Sequence, residues 1–132
     1  MNAKESSKVA TDIVIFMNKE YPLPTGDLWE IHLSKVEDSP LYSQAGVLFQ
    51  LSGDPFQVSL LKTTNSSWKV GFSIVSIVFA PVEGDDYLDW KSGIKDVILR
   101  GTEKLHETFN RRYSKVLEIY EFIKVLNKET PT

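Results

Sequence analysis

The chain has 132 residues, of which 42% are hydrophobic and 25% charged, and its formal net charge is -3. These are ordinary globular values for one domain, long enough to bury roughly two-thirds of its unfolded surface, and they exclude a disordered or fibrous class. With no cysteine, a disulfide framework, a thiolate zinc site and a cysteine nucleophile are excluded together, and the acidic balance argues against a nucleic-acid backbone as partner, which calls for a basic face.

From Ser6 or Ser7 to about Glu20, the residues Val9, Ile13, Phe16 and Met17 fall at helical spacing, with Lys8, Asp12 and Lys19 opposite. This predicts an amphipathic helix capped by serine, although Ile13-Val14-Ile15-Phe16 is also rich in strand formers. The prolines of Tyr21-Pro22-Leu23-Pro24-Thr25-Gly26 stop it, since each withholds a donor and pushes its predecessor out of the helical region. Leu28 to Lys35 then alternates, with Trp29, Ile31 and Leu33 on one face and Glu30, His32 and Ser34 on the other, as a half-buried strand does. Val36 to Gln44 reads as a surface connection. Gly46 to Leu51 and Phe56 to Lys62 flank Ser52-Gly53-Asp54-Pro55 and form a hairpin. A second reversal at Thr63-Thr64-Asn65-Ser66-Ser67 leads onward; Asn65-Ser66-Ser67 matches the glycosylation triplet but reads as a polar turn.

The most apolar stretch, Trp68 to Phe79, predicts the central strand. Trp68, Val70, Phe72 and Ile74 lie on one face and Lys69, Gly71 and Ser73 on the other, and from Ile74 onward both faces are apolar, as where a strand passes into a two-sided environment. After Pro81 the period changes. Tyr87, Trp90, Ile94, Val97, Ile98, Gly101, Leu105 and Phe109 step by three and four, a long amphipathic helix with Asp85 or Asp86 as its cap and Glu83 and Asp89 beside its positive end. Gly101 falls on the apolar stripe, where close approach to the sheet is expected. Ser114 to Asn127 carries Val116, Ile119, Tyr120, Ile123 and Leu126 at helical spacing, and a further terminal helix is expected although its composition also suits a strand.

The expected architecture is therefore one α+β domain: an antiparallel meander of about four strands under the long helix and the N-terminal helix, with a C-terminal helix. No leader-like opening and no apolar run approaching the ~20 residues that span a bilayer is visible, so a cytoplasmic protein without membrane contact is expected.

Chemistry is sparsely signalled. His32 and His106 are the only histidines. The first lies on a polar strand face and the second near a helix end that favours a positive charge, so a structural role outweighs a catalytic one for both. Glu83, Asp85, Asp86 and Asp89 lack the ligand spacing of a calcium loop, and capping explains them more simply than a metal does. The glycines are scattered singly, without a phosphate cradle, and no cofactor is implied. Trp29, Trp68 and Trp90 lie on apolar faces and read first as core.

From Phe56 through Trp90 to Leu105, turn-linked strands lead to a valine- and isoleucine-rich strand ending at Ala80-Pro81, and Tyr87-Leu88-Asp89-Trp90 opens a helix. This stretch resembles part of a sporadically distributed family of uncharacterised bacterial proteins. The chain is short and lacks that family's later strand with an arginine-tyrosine pair, reading EIYEFI over 118–123 instead. The resemblance implies no site residues.

The second sheet face should carry Lys69, Ser73, Glu30, His32, Gln57 and Ser59, with Leu61, Val75, Ile77 and Phe79 as apolar residues among them, either under the terminal helix or as an exposed patch that marks a contact. Such a face suits recognition, and the leading expectation is a non-enzymatic protein-binding module, in one concrete form a small inhibitor or regulator encoded by a phage or mobile element, contacting a protein partner or a second copy through Val75, Ile77, Phe79, Leu61 and Lys69. The alternative is a small-molecule-binding protein or enzyme with a ligand cleft between the long helix and the sheet near Trp68, Trp90 and His106. On the leading expectation, Phe79→Asp or Ile77→Asp abolishes partner capture in a pull-down and leaves the circular dichroism spectrum intact; an unfolded variant would place these residues in the core.

Overall fold

Alternation in the sequence becomes a sheet, and the two amphipathic helices close one of its faces. The computed structural model describes residues 1–23, 25–36, 45–54, 56–64, 66–74 and 82–108, without the side chains of 102 and 104–108. The expected C-terminal helix over 114–127 and the strand continuation that holds Val75, Ile77 and Phe79 lie outside the described residues.

Helix α1 spans Ala3–Glu20. It starts earlier than the serine cap predicts, because Asn2 caps it: its side-chain oxygen accepts from the Glu5 amide at 2.8 Å while its amide group donates to the Glu5 carboxylate at 2.9 Å. One orphan amide of the first turn is thus satisfied, and the side-chain pair holds the cap in place. Ser6 is instead buried inside the first turns with Ala10, Ile13 and Met17. The Tyr21 amide still bonds to the Met17 carbonyl at 2.9 Å, and the prolines then end the helix.

Among the described residues five strands follow: β1 (Glu30–Val36), β2 (Gly46–Gly53), β3 (Phe56–Thr63), β4 (Trp68–Ile74) and β5 (Val82–Tyr87). They form one sheet in the order β1-β2-β3-β4-β5, antiparallel throughout. The meander is as expected, with one strand more than the sequence suggested. The fifth strand occupies Val82–Tyr87, where the acidic residues had been read as the opening of the long helix. That helix, α2, begins only at Trp90 and runs to Thr108. Asp89 caps it, its carboxylate accepting from the Lys91 amide and the Ser92 hydroxyl at 3.3 Å and its carbonyl from the Gly93 amide at 3.2 Å. The extra strand also makes β3 the middle of the sheet, with β4 one place from the edge.

The register assigns the faces. Phe49, Leu60 and Val70 stand in one row across β2, β3 and β4, and Leu51, Val58 and Phe72 in the next. These residues form a single core with Ala10, Ile13 and Met17 of α1 and Ile94, Val97 and Ile98 of α2. Helix α1 lies over β1 and β2, and α2 over β4 and β5. Phe56 and Phe72 stack at 6.1 Å between ring centres. At roughly 25 cal/mol per Å² of apolar surface removed from water, this one-sided core is the main source of stability.

Glycines set how closely α2 lies on the sheet. A Cβ at Gly93 would stand 2.5 Å from a Val70 methyl and 3.0 Å from the Tyr87 ring, and one at Gly101 would stand 2.5 Å from the Phe72 ring. The expected approach of Gly101 to the sheet is what the structure shows. G101A gains about 1 kcal/mol in helix propensity, but the added methyl meets the buried Phe72 ring, which also stacks on Phe56, and overpacking of this kind costs typically 1–3 kcal/mol. A lower urea midpoint for G101A, with the slope unchanged, is the expected outcome.

Candidate functional site

Two arrangements carry polar chemistry: the sheet face away from the helices, and a cluster where β5 meets α2. On the second face the registers align three rows. Glu30, Ser52, Gln57 and Ser73 form the first; His32, Gln50, Ser59, Gly71 and Glu83 the second; Ser34, Leu48, Leu61, Lys69 and Asp86 the third. Glu30, His32, Gln57, Ser59, Lys69 and Ser73 therefore share a face, as their alternation predicted. Ser52 and His32 are exposed, while Gln50, Gln57, Ser59, Gly71 and Ser73 are half-buried.

The middle of these rows, Gln50, Ser52, Gln57, Ser59, Gly71 and Ser73, holds no charged side chain. Charges stand around it, with Glu30 on β1, Glu83 and Asp86 on β5, and Lys69 on β4. The Lys69 ammonium lies 3.8 Å from the Asp86 carboxylate, and both side chains are substantially exposed, so this pair contributes well under 1 kcal/mol. The third row differs in kind. Leu48 and Leu61 face each other across β2 and β3 and are only 5% and 3% exposed, although neither belongs to the core under the helices. Leu61 is thus a covered position, the first of the two expectations for it. A leucine at alternating spacing declares its face but not whether that face is covered.

The residues of the expected ligand cleft go to different surroundings. Trp68 is buried beside Phe49, at 5.7 Å between ring centres, with the Lys62 ammonium 5.2 Å from its ring. Trp90 is half-buried at the start of α2 and meets Phe16 of α1 edge-to-face at 5.2 Å, with Lys91 5.5 Å from it. His106 lies on α2, and its side chain is outside the described residues. Between helix and sheet, the Gly93 and Gly101 contacts bring the α2 backbone directly onto Val70, Tyr87 and Phe72, which fills that part of the seam.

The cluster between β5 and α2 was not read from the sequence. The Tyr87 hydroxyl donates to Asp96 and accepts from Arg100 at 2.7 Å, and Arg100 also donates to Asp96 at 2.8 Å. The i, i+4 pair was visible in the sequence, but Tyr87 had been placed on the helix itself. Burial, and then the neighbouring Asp96, push the Tyr87 phenol above its ordinary value, against the Arg100 contribution. These bonds tie β5 to α2, so the cluster acts as a clamp between strand and helix. The Arg100 Nε is buried and meets no acceptor among the described residues, which offsets part of that gain. Among the described residues no three His, Asp or Glu side chains converge as a metal set, and no helix is long and apolar enough to cross a membrane. No family model, curated protein or solved structure matches the chain.

A raised phenol pKa stabilises the fold below the unfolded value near pH 10 and loses that contribution as pH rises through the folded value. In a tyrosine titration followed by absorbance, Y87F should lose a phenol that ionises above the ordinary value. The same variant should lose about 1 kcal/mol at neutral pH and a part of the alkaline decline in stability.

Proposed function

We propose that the protein is a non-enzymatic binding module that recognises another protein through the second face of its sheet. The observation that carries this reading is the uncharged centre formed by Gln50, Ser52, Gln57, Ser59, Gly71 and Ser73, in a chain of which a quarter is charged. Depletion of charge at the centre, with a polar rim, is one compositional feature of interfaces. Serine hydroxyls and glutamine amides offer donors and acceptors at low desolvation cost, and Gly71 leaves β4 flat enough for close approach by a partner backbone.

The β5–α2 clamp and the filled seam at Gly93 and Gly101 support the same reading, because they give the sheet a rigid back rather than a space for a small ligand. The face itself is held by β2, β3 and β4, each paired on both sides, and a rigid scaffold lowers the ordering cost of association.

Ser59 lies at the centre of the face and its side chain supports nothing in the core, so S59R tests the reading. The wild-type protein, immobilised, should retain a second polypeptide from extract of its native host at physiological salt. S59R and Q57E should lose it by tenfold or more with melting temperatures within a few degrees of wild type, while K19E on α1 should retain it. Equal capture by S59R and wild type would exclude this face.

A further inference from the structure

The two edges of the sheet are built differently. On β5 the ladder to β4 shifts register between Lys69 and Gly71, so that Gly84 and Asp85 together face Val70, and Glu83, Asp85 and Asp86 are all exposed. A bulge and carboxylates are the usual devices against pairing at an edge. On β1 there is no bulge, and its charged residues, Glu30 and Lys35, stand only toward its ends. Its seven residues pair with β2 in unbroken register, its interior Ile31-His32-Leu33-Ser34 holds neither carboxylate nor proline, and five of its residues, Glu30, His32, Leu33, Ser34 and Lys35, are exposed. Among the described residues its outer edge has no pairing strand.

Apolar surface collects beside this edge. Leu33 points to the helix side of the sheet, in register with the core residue Phe49, yet is 37% exposed, and Ile15 of α1 is 59% exposed. Ile15 is one helical turn from Asn18, whose side-chain oxygen accepts from the Trp29 amide at 2.8 Å just before β1. It therefore stands on the β1 side of α1.

We propose that two copies of the chain pair antiparallel through β1, about a two-fold axis normal to the sheet at Leu33, as one continuous sheet. A second copy is the occupant because the strand is complementary to itself in that register. Leu33 meets Leu33 of the second copy, His32 meets Ser34, Ile31 meets Lys35 and Glu30 meets Val36. No like charges oppose each other: Glu30 meets Val36 on the second face, and Lys35 meets Ile31 on the helix side. The axis also keeps both helix layers on one side, bringing the two Ile15 side chains toward each other over the seam. The second faces then lie side by side on the opposite surface, presenting two uncharged centres in one plane. This inference concerns the β1 edge and is tested on the purified chain alone, so either reading can fail without the other.

The experiment is light scattering after size exclusion over a concentration series. The wild type is expected at twice the chain mass by about 100 µM, a modest affinity for an edge contact. L33K and L33E, each placing like charges across the axis, should run as monomers with wild-type circular dichroism, and an equimolar mixture of the two should return to dimer mass. Should both lose their fold, I15E on the helix surface replaces them and should shift the monomer–dimer midpoint by tenfold or more. A wild type that remains monomeric at that concentration overturns the proposal, and so does a dimer whose mass is the same in these variants.

Discussion

The rest of the structure depends on how closely α2 lies on β4 and β5. Gly93 and Gly101 let the helix backbone touch Val70, Tyr87 and Phe72 without an intervening side chain. From that contact follow the placement of Phe72 against Phe56, the reach of Asp96 and Arg100 to the Tyr87 hydroxyl, and the meeting of Trp90 with Phe16 across the two helices. Glycine weakens a helix locally. Here that loss is offset by a seam in which the sheet's largest side chains are held from both sides, as the density of protein interiors requires.

Much of this was legible in the residues. Period-two alternation placed Trp68, Val70, Phe72 and Ile74 on the core face and Lys69 and Ser73 on the other, and Gly53-Asp54-Pro55 marked a hairpin that the register confirms with Gly53 opposite Phe56. What failed was local reading where tertiary pairing decides. Glu83-Gly84-Asp85-Asp86 has poor strand propensity, and Tyr87 falls three residues before Trp90 and seven before Ile94, so the helical period extended backwards through a strand. Pairing with β4 overrides both signals. Asn2 caps α1 although Ser6 and Ser7 stand closer to the apolar stripe.

The candidate site was legible only in part, for a different reason. Each strand shows which of its residues lie on the second face, but the uncharged centre exists only once β2, β3 and β4 are set in register, and that alignment is a property of the turns and the core. The Tyr87 clamp likewise joins residues on two elements, one of which had not been recognised as a strand. Leu61 marks the limit of alternation, since the covering of a face is decided by other parts of the chain.

The strictly sequential order of the sheet has a consequence for how the chain is made. Every strand pairs with its neighbour in sequence, so loop-closure entropy is low and pairing can follow synthesis one hairpin at a time. Helix α1 is already available when β1 and β2 form, and their half of the core can close early. The half made by β4 and β5 waits for α2, the last described element to emerge. Until then Val70, Phe72 and Ile74 have no helix over them, and during synthesis this is the stretch where an unfinished chain is most exposed to association with others.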